Sequence, residues 1–130
     1  WGCRDGYIRR FQSDLAQDDS TNYSSYIEFG PIKAAGNDFN DGYLHELVCT
    51  LAASSGSVTW SAKGAKSAEQ CNTASYVVTG TFSTAGFNAT ARPRIRGGAI
   101  MIKLANAANN SRWALESLTA VIEGVGKRRI

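Results

Sequence analysis

A chain of 130 residues with 43% hydrophobic composition is the size of one domain and can bury a real core. No stretch approaches ~20 consecutive apolar residues, so no membrane-spanning helix is encoded, and no charged-then-apolar run at the front reads as a signal peptide. The net charge of +3 is too small to argue nucleic-acid binding by itself.

Thirteen glycines against two prolines, among many Ser, Thr and Asn residues, suit short strands joined by tight turns. Trp1 heads the chain and Met101 is the only methionine, so the expectation is a trimmed or excised piece of something longer. Asp5-Gly6 is a turn dipeptide, and residues 7–11 then read as a strand. Residues 12–22 are polar and read as a connector. Residues 1–22 together are expected to form an opening strand and connector, a remnant of an upstream β-repeat domain, with residues 23–130 forming the main domain.

In that main domain, residues 23–29 alternate aromatic or branched side chains with small polar ones and predict a strand, which Gly30-Pro31 ends or bends. Residues 36–42 read as a loop. Residues 43–53 give the strongest strand signal, with Leu47, Cys49 and Leu51 on one face and Glu46, Val48 and Thr50 on the other. After a turn at residues 54–57, residues 58–63 place Val58, Trp60 and Ala62 on one face, and the two strands are expected to pair as a hairpin. Residues 64–74 read as a polar loop or a short helical turn around residues 65–70, and residues 76–82 form a further strand. Gly97-Gly98 marks a bulge or a close approach of another backbone. Residues 105–111 read as a turn.

The last segment, residues 113–125, fits two periods. Leu115, Leu118, Val121, Ile122 and Val125 make a helical stripe. Trp113 and Leu115, then Leu118, Ala120 and Ile122, make a strand with one irregularity at Glu116-Ser117. The preceding strands need a partner for their last edge, which favours the strand. About seven strands in all predict an all-β fold, an antiparallel β-sandwich or jelly-roll-like domain.

Little in the sequence carries catalytic chemistry. His45 is the only histidine, and Glu46, its neighbour on a strand, points to the other face and cannot orient it for a Ser-His-Asp arrangement. Asp18-Asp19 and Asp38 with Asp41 are available as carboxylate pairs, but turn chemistry explains them. Residues 37–42 lack the full ligand spacing of a calcium loop. Cys3, Cys49 and Cys71 are too widely spaced for a zinc site and are expected to be reduced, mostly buried thiols in an intracellular folding compartment. No catalytic, metal or cofactor-binding set is expected. Asn22, Asn88 and Asn109 head glycosylation-type tripeptides of the sort that arise by chance in such compositions.

Charge is more informative. The acids gather between Asp14 and Asp41, and Lys127, Arg128 and Arg129 close the chain. Arg92, Arg94 and Arg96 alternate, so a strand would turn all three to one face as a row of planar bidentate donors. These six cations are the interface candidates. A solvated, charge-blunted edge explains the row equally well. Trp60 and Trp113 fall in alternating apolar runs and are assigned to the core. Tyr23, Tyr26 and Tyr43 could form a stacking platform for sugars.

Three stretches resemble the C-terminal part of tail-tube proteins of short-tailed bacteriophages, of the nozzle or tail-hub kind. They are residues 1–11, Trp-Gly-Cys-Arg-Asp-Gly-Tyr-Ile-Arg-Arg-Phe; residues 26–33, Tyr-Ile-Glu-Phe-Gly-Pro-Ile-Lys; and the end, with its Arg-Pro-Arg-Ile-Arg-Gly-Gly strand, its Trp-containing last strand and its Gly-Lys-Arg-Arg terminus. The resemblance implies a non-enzymatic virion component made in the host cytoplasm and located in the tail. Copies of the chain would ring the channel, touch other tail proteins and meet phage DNA transiently. Arg92, Arg94 and Arg96 would then serve subunit contacts or the channel wall. The alternatives are a carbohydrate- or receptor-binding β-sandwich using the tyrosines and a small hydrolase using Asp38 and Asp41.

Overall fold

The structure is a computed structural model that describes residues 17–18, 21–22, 25–36, 40–106 and 112–127. The expected strand at residues 7–11, the turn at residues 107–111, Trp1, Cys3, Tyr23, Asp38, Asn109, Arg128 and Arg129 lie outside them, as does the side chain of Lys127.

Two four-stranded antiparallel sheets pack as an all-β sandwich of eight strands, the fold class expected with its about seven strands. Within the expected connector, β1 (Gln17–Asp18) and β2 (Thr21–Asn22) form a separate two-residue antiparallel pair. The longer elements are β3 (Tyr26–Lys33), β4 (Asn40–Leu51), β5 (Val58–Ala65), α1 (Ala68–Thr73), β6 (Val78–Phe82), β7 (Gly86–Phe87), β8 (Ile95–Gly97), β9 (Ala99–Asn106) and β10 (Leu115–Lys127). In the first sheet β4 is central. It takes β10 on one flank, and on the other a single interrupted strand consisting of β7, an isolated bridge at Ala91 and β8. The second sheet runs β3-β9-β5-β6.

Alternation builds the core. Leu47, Cys49 and Leu51 of β4, Val58, Trp60 and Ala62 of β5, and Ile100, Ile102 and Leu104 of β9 point into one cluster, joined by Phe82 and Ile95. Each such aliphatic or aromatic side chain contributes about 1.5–3 kcal/mol on leaving water. β10 is a strand along its whole length, and it steps in register between Leu115 and Ser117, where the sequence pattern breaks. Its Leu118, Ala120 and Ile122 pack on the core, as does Trp113, which donates its indole N–H to Ser25 Oγ at 3.1 Å. β3 runs through Gly30-Pro31 instead of ending there, with a register shift between Phe29 and Ile32. β4 starts earlier than expected, so Asn40, Asp41 and Gly42 belong to a strand and not to a loop.

The expected hairpin between β4 and β5 does not form. β5 pairs with β9 and β6, and β4 with β10, β7 and β8, so the intervening turn carries the chain from one sheet to the other. That turn is held by distant backbone: Ala52 N–H donates to Ala114 O at 2.9 Å and Gly56 N–H to Arg112 O at 2.7 Å. A turn so anchored arches between layers.

The close approach expected at Gly97-Gly98 is present. Here the chain crosses from β8 in one sheet to β9 in the other. Gly98 N–H donates to Ala65 O at 2.9 Å, and a Cβ on Gly97 would stand 3.0 Å from Ala65 N. The segment 64–74, read as a loop or a short helical turn around residues 65–70, contains the helix α1, which starts three residues later than that turn. Ser67 Oγ accepts from Gln70 N–H to start it. Its Cys71 packs on Ala99 and Met101 in a second, small cluster on the side of β9 opposite the main core. No helix among the described residues is long and apolar enough to cross a membrane.

Candidate functional site

The arginine segment lies beside β4 on the outer face of the first sheet. Burial alternates as the sequence predicts: Pro93, Ile95 and Gly97 are buried, while Arg92, Arg94 and Arg96 are exposed. The regular strand does not extend that far, however. Only Arg96 lies in β8, and Arg94 has φ +56°, a left-handed conformation that side chains other than Gly, Asn and Asp rarely adopt.

The row is answered by β4, which the sequence reading did not anticipate. Arg96 Nε donates to Asp41 Oδ2 at 3.2 Å, and the Asp41 side chain is only 10% exposed. Arg92 Nε stands 3.9 Å from Glu46 Oε1, a more open pair. Two of the three like charges thus have counter-charges within the chain, and the mutual repulsion of the row is relieved. Arg94 has no acidic partner within 4 Å among the described residues.

His45 is the extra residue of a β-bulge. Val121 pairs with Glu46 and Ile122 with Leu44, so one step along β10 spans two along β4. The bulge resets the alternation, which is why Leu44 and Leu47, three residues apart, are both fully buried. It also brings Tyr43, His45 and Glu46 to one depression, so the rule that neighbours face opposite ways fails at this point. His45 Nε2 is 2.8 Å from Glu123 Oε2 of β10, and the Tyr43 ring sits 4.5 Å away, centroid to centroid. The carboxylate that engages His45 is Glu123 and not its sequence neighbour. The Glu123 side chain is largely in solvent and that of His45 is half-buried.

Tyr43, His45, Glu46, Arg92, Arg94 and Val125 line a shallow depression of about 540 Å3. It gathers an arginine with no acid within 4 Å among the described residues, the facing Arg92 and Glu46, a phenol, an imidazole and one apolar side chain. Among the described residues no three His, Cys, Asp or Glu side chains are placed to share a metal ion.

The other candidates are dispersed. Tyr26 belongs to the second sheet, beneath the Lys103 ammonium at 4.6 Å, while Tyr43 belongs to the first, so these two tyrosines do not make one platform. Asn88 is buried and clasps its own loop: its side-chain oxygen accepts from Thr84 N–H at 3.0 Å and its amide donates to Thr84 O at 2.7 Å. Its tripeptide offers no free amide for glycosylation. Trp60 is in the core as expected. Cys49 and Cys71 are free and buried, and burial raises both thiols above their ordinary pKa.

A group that sequence reasoning missed lies around Tyr76. Lys63 is buried, with Nζ donating to Ala74 O at 3.0 Å and lying 4.5 Å over the Tyr76 ring. Burial first, and the Glu28 carboxylate second, push Tyr76 up to about 12. Comparison with protein-family models, curated proteins and solved structures finds no match to this chain.

Proposed function

We propose that this chain is a non-enzymatic assembly module that forms a homo-oligomeric ring, in the manner of the phage tail-tube components it resembles. The observation that carries the reading is the outer face of the first sheet. There the arginine row flanks one side of β4, and on its other side lies a long strand, β10, whose outer edge pairs with no strand among the described residues. An open strand edge and an oriented guanidinium both fit a second protein surface better than a small substrate. The depression is too shallow and open to isolate a reaction from water.

The test is the particle mass of the full chain in solution, with negative-stain imaging of whatever forms. Closed rings of uniform copy number are expected. A monomer at concentrations up to roughly 100 μM, where interfaces of ordinary size associate, would end the proposal.

A further inference from the structure

Resting on the assembly reading, we infer that the Arg94 depression is the docking point for carboxylates of the acidic segment Asp14–Asp19 from a second copy of the chain. Arg96 is committed to Asp41, Arg92 lies beside Glu46, and His45 holds Glu123, which leaves Arg94 as the one arginine of the row with no acid beside it among the described residues. Its backbone adds a second observation. Arg94 sits between buried Pro93 and Ile95 at φ +56°, a strained position for a long side chain that glycine would occupy without penalty. The Arg94 side chain lines the depression together with Tyr43 and Val125.

A guanidinium fork accepts carboxylate or phosphate alike, and the surroundings select between them. A nucleic-acid backbone is a continuous line of charge and needs a continuous cationic track. This face instead interleaves Asp41, Glu46 and Glu123 with its arginines, so a polyanion laid across it would meet three carboxylates. A single carboxylate is compact enough to reach Arg94, while Arg92 and Glu46 in the same depression already face each other. The chain itself supplies such groups in Asp14, Asp18 and Asp19, three acids within six residues. The complementarity of a single unanswered cation with a short acidic segment commits the site to a second copy.

The experiment measures binding of a synthetic peptide of residues 12–22 to the full chain by fluorescence anisotropy, alongside thermal melts. Arg94→Gly is the informative variant, because it removes the guanidinium and relaxes the backbone together. Weak saturable binding is expected, reduced about tenfold by Arg94→Gly, with a melting temperature equal to or above that of the parent. Lys66→Gln, which removes an exposed cation outside the depression, should leave affinity within about twofold. Failure of the peptide to bind, undiminished affinity in Arg94→Gly, or a lowered melting temperature in that variant would overturn the inference, the last because it would make Arg94 a structural residue. Tighter binding of a single-stranded oligonucleotide than of the peptide would overturn it in favour of phosphate recognition. A chain that binds the peptide through Arg94 yet forms only pairs sinks the ring reading alone. A ring that assembles unchanged in Arg94→Gly sinks this inference alone.

Discussion

Gly42 offers the sharpest test of the packing described above. It pairs with Gly124 of β10 on one side and Gly97 of β8 on the other, and the end of β3 crosses over it. A Cβ placed there would stand 2.4 Å from Ala34 Cβ, 2.6 Å from Ala34 C and 2.7 Å from Ala34 O. Ordinary contact begins at 3.4 Å, so Ala34 must retreat by about 1 Å, and two of its three obstructing atoms are backbone. Ala34 N–H is also bonded to Gly98 O at 3.1 Å, so its retreat would loosen the β8–β9 corner as well. Overpacking usually costs about 1–3 kcal/mol, and an obstruction made of backbone belongs at the top of that range. Gly42→Ala is therefore expected to lower stability by about 3 kcal/mol, read as a urea midpoint shifted down by roughly 1.5 M with unchanged slope. The thermal midpoint should fall by about 10 °C. Gly124→Ala is the control: its Cβ would meet only Ala35 Cβ, at an ordinary 3.8 Å. It should cost no more than about 1 kcal/mol, as surface strand positions do. Equal stabilities for the two variants would refute the packing argument. So would rescue of Gly42→Ala by Ala34→Gly, which removes only the Cβ and leaves the two backbone obstructions in place.

Lys63 caps the end of α1 through Ala74 O and covers Tyr76, so Lys63→Ala should cost about 2 kcal/mol and speed amide exchange in α1; unaltered exchange would show that the helix does not depend on it. Tyr76 is a raised acid: its neutral form is favoured in the fold, so its contribution to stability is complete below pH 10 and is lost as pH rises from 10 towards about 12. Denaturation midpoints should fall over that window in the parent and fall less in Tyr76→Phe, and parallel curves would count against the assignment. The buried thiols of Cys49 and Cys71, both raised by burial, should resist a disulfide reagent in a Cys3→Ser background until denaturant is added. Rapid labelling of the native protein would contradict their placement.

The sandwich was readable because its signals are local and repetitive. Alternation in residues 47–51 and 58–62 located the core faces of β4 and β5, and the pattern break at Glu116-Ser117 located a register step of β10. What escaped depends on residues far apart in the chain. Ser54–Ser57 looked like a hairpin turn because serine and glycine favour turns in general. Only the bonds to Arg112 and Ala114 reveal that it spans two layers. The arginine row was visible, but its counter-charge Asp41 lies 55 residues away and could not be assigned from spacing. His45 was judged by strict alternation, and a bulge is defined by the partner strand, so its link to Glu123 was out of reach.

The pairing of β4 with β10 bears on how the molecule comes into being. The strand that covers the long flank of the central β4 is made only after β5 to β9 have been synthesised. A nascent chain must therefore carry Leu44, Leu47 and Leu51 without their final neighbours until β10 leaves the ribosome. Such distant closure makes for slow folding and an extended interval of vulnerability to aggregation. Truncation before Leu115 should accordingly yield insoluble protein instead of a smaller stable domain.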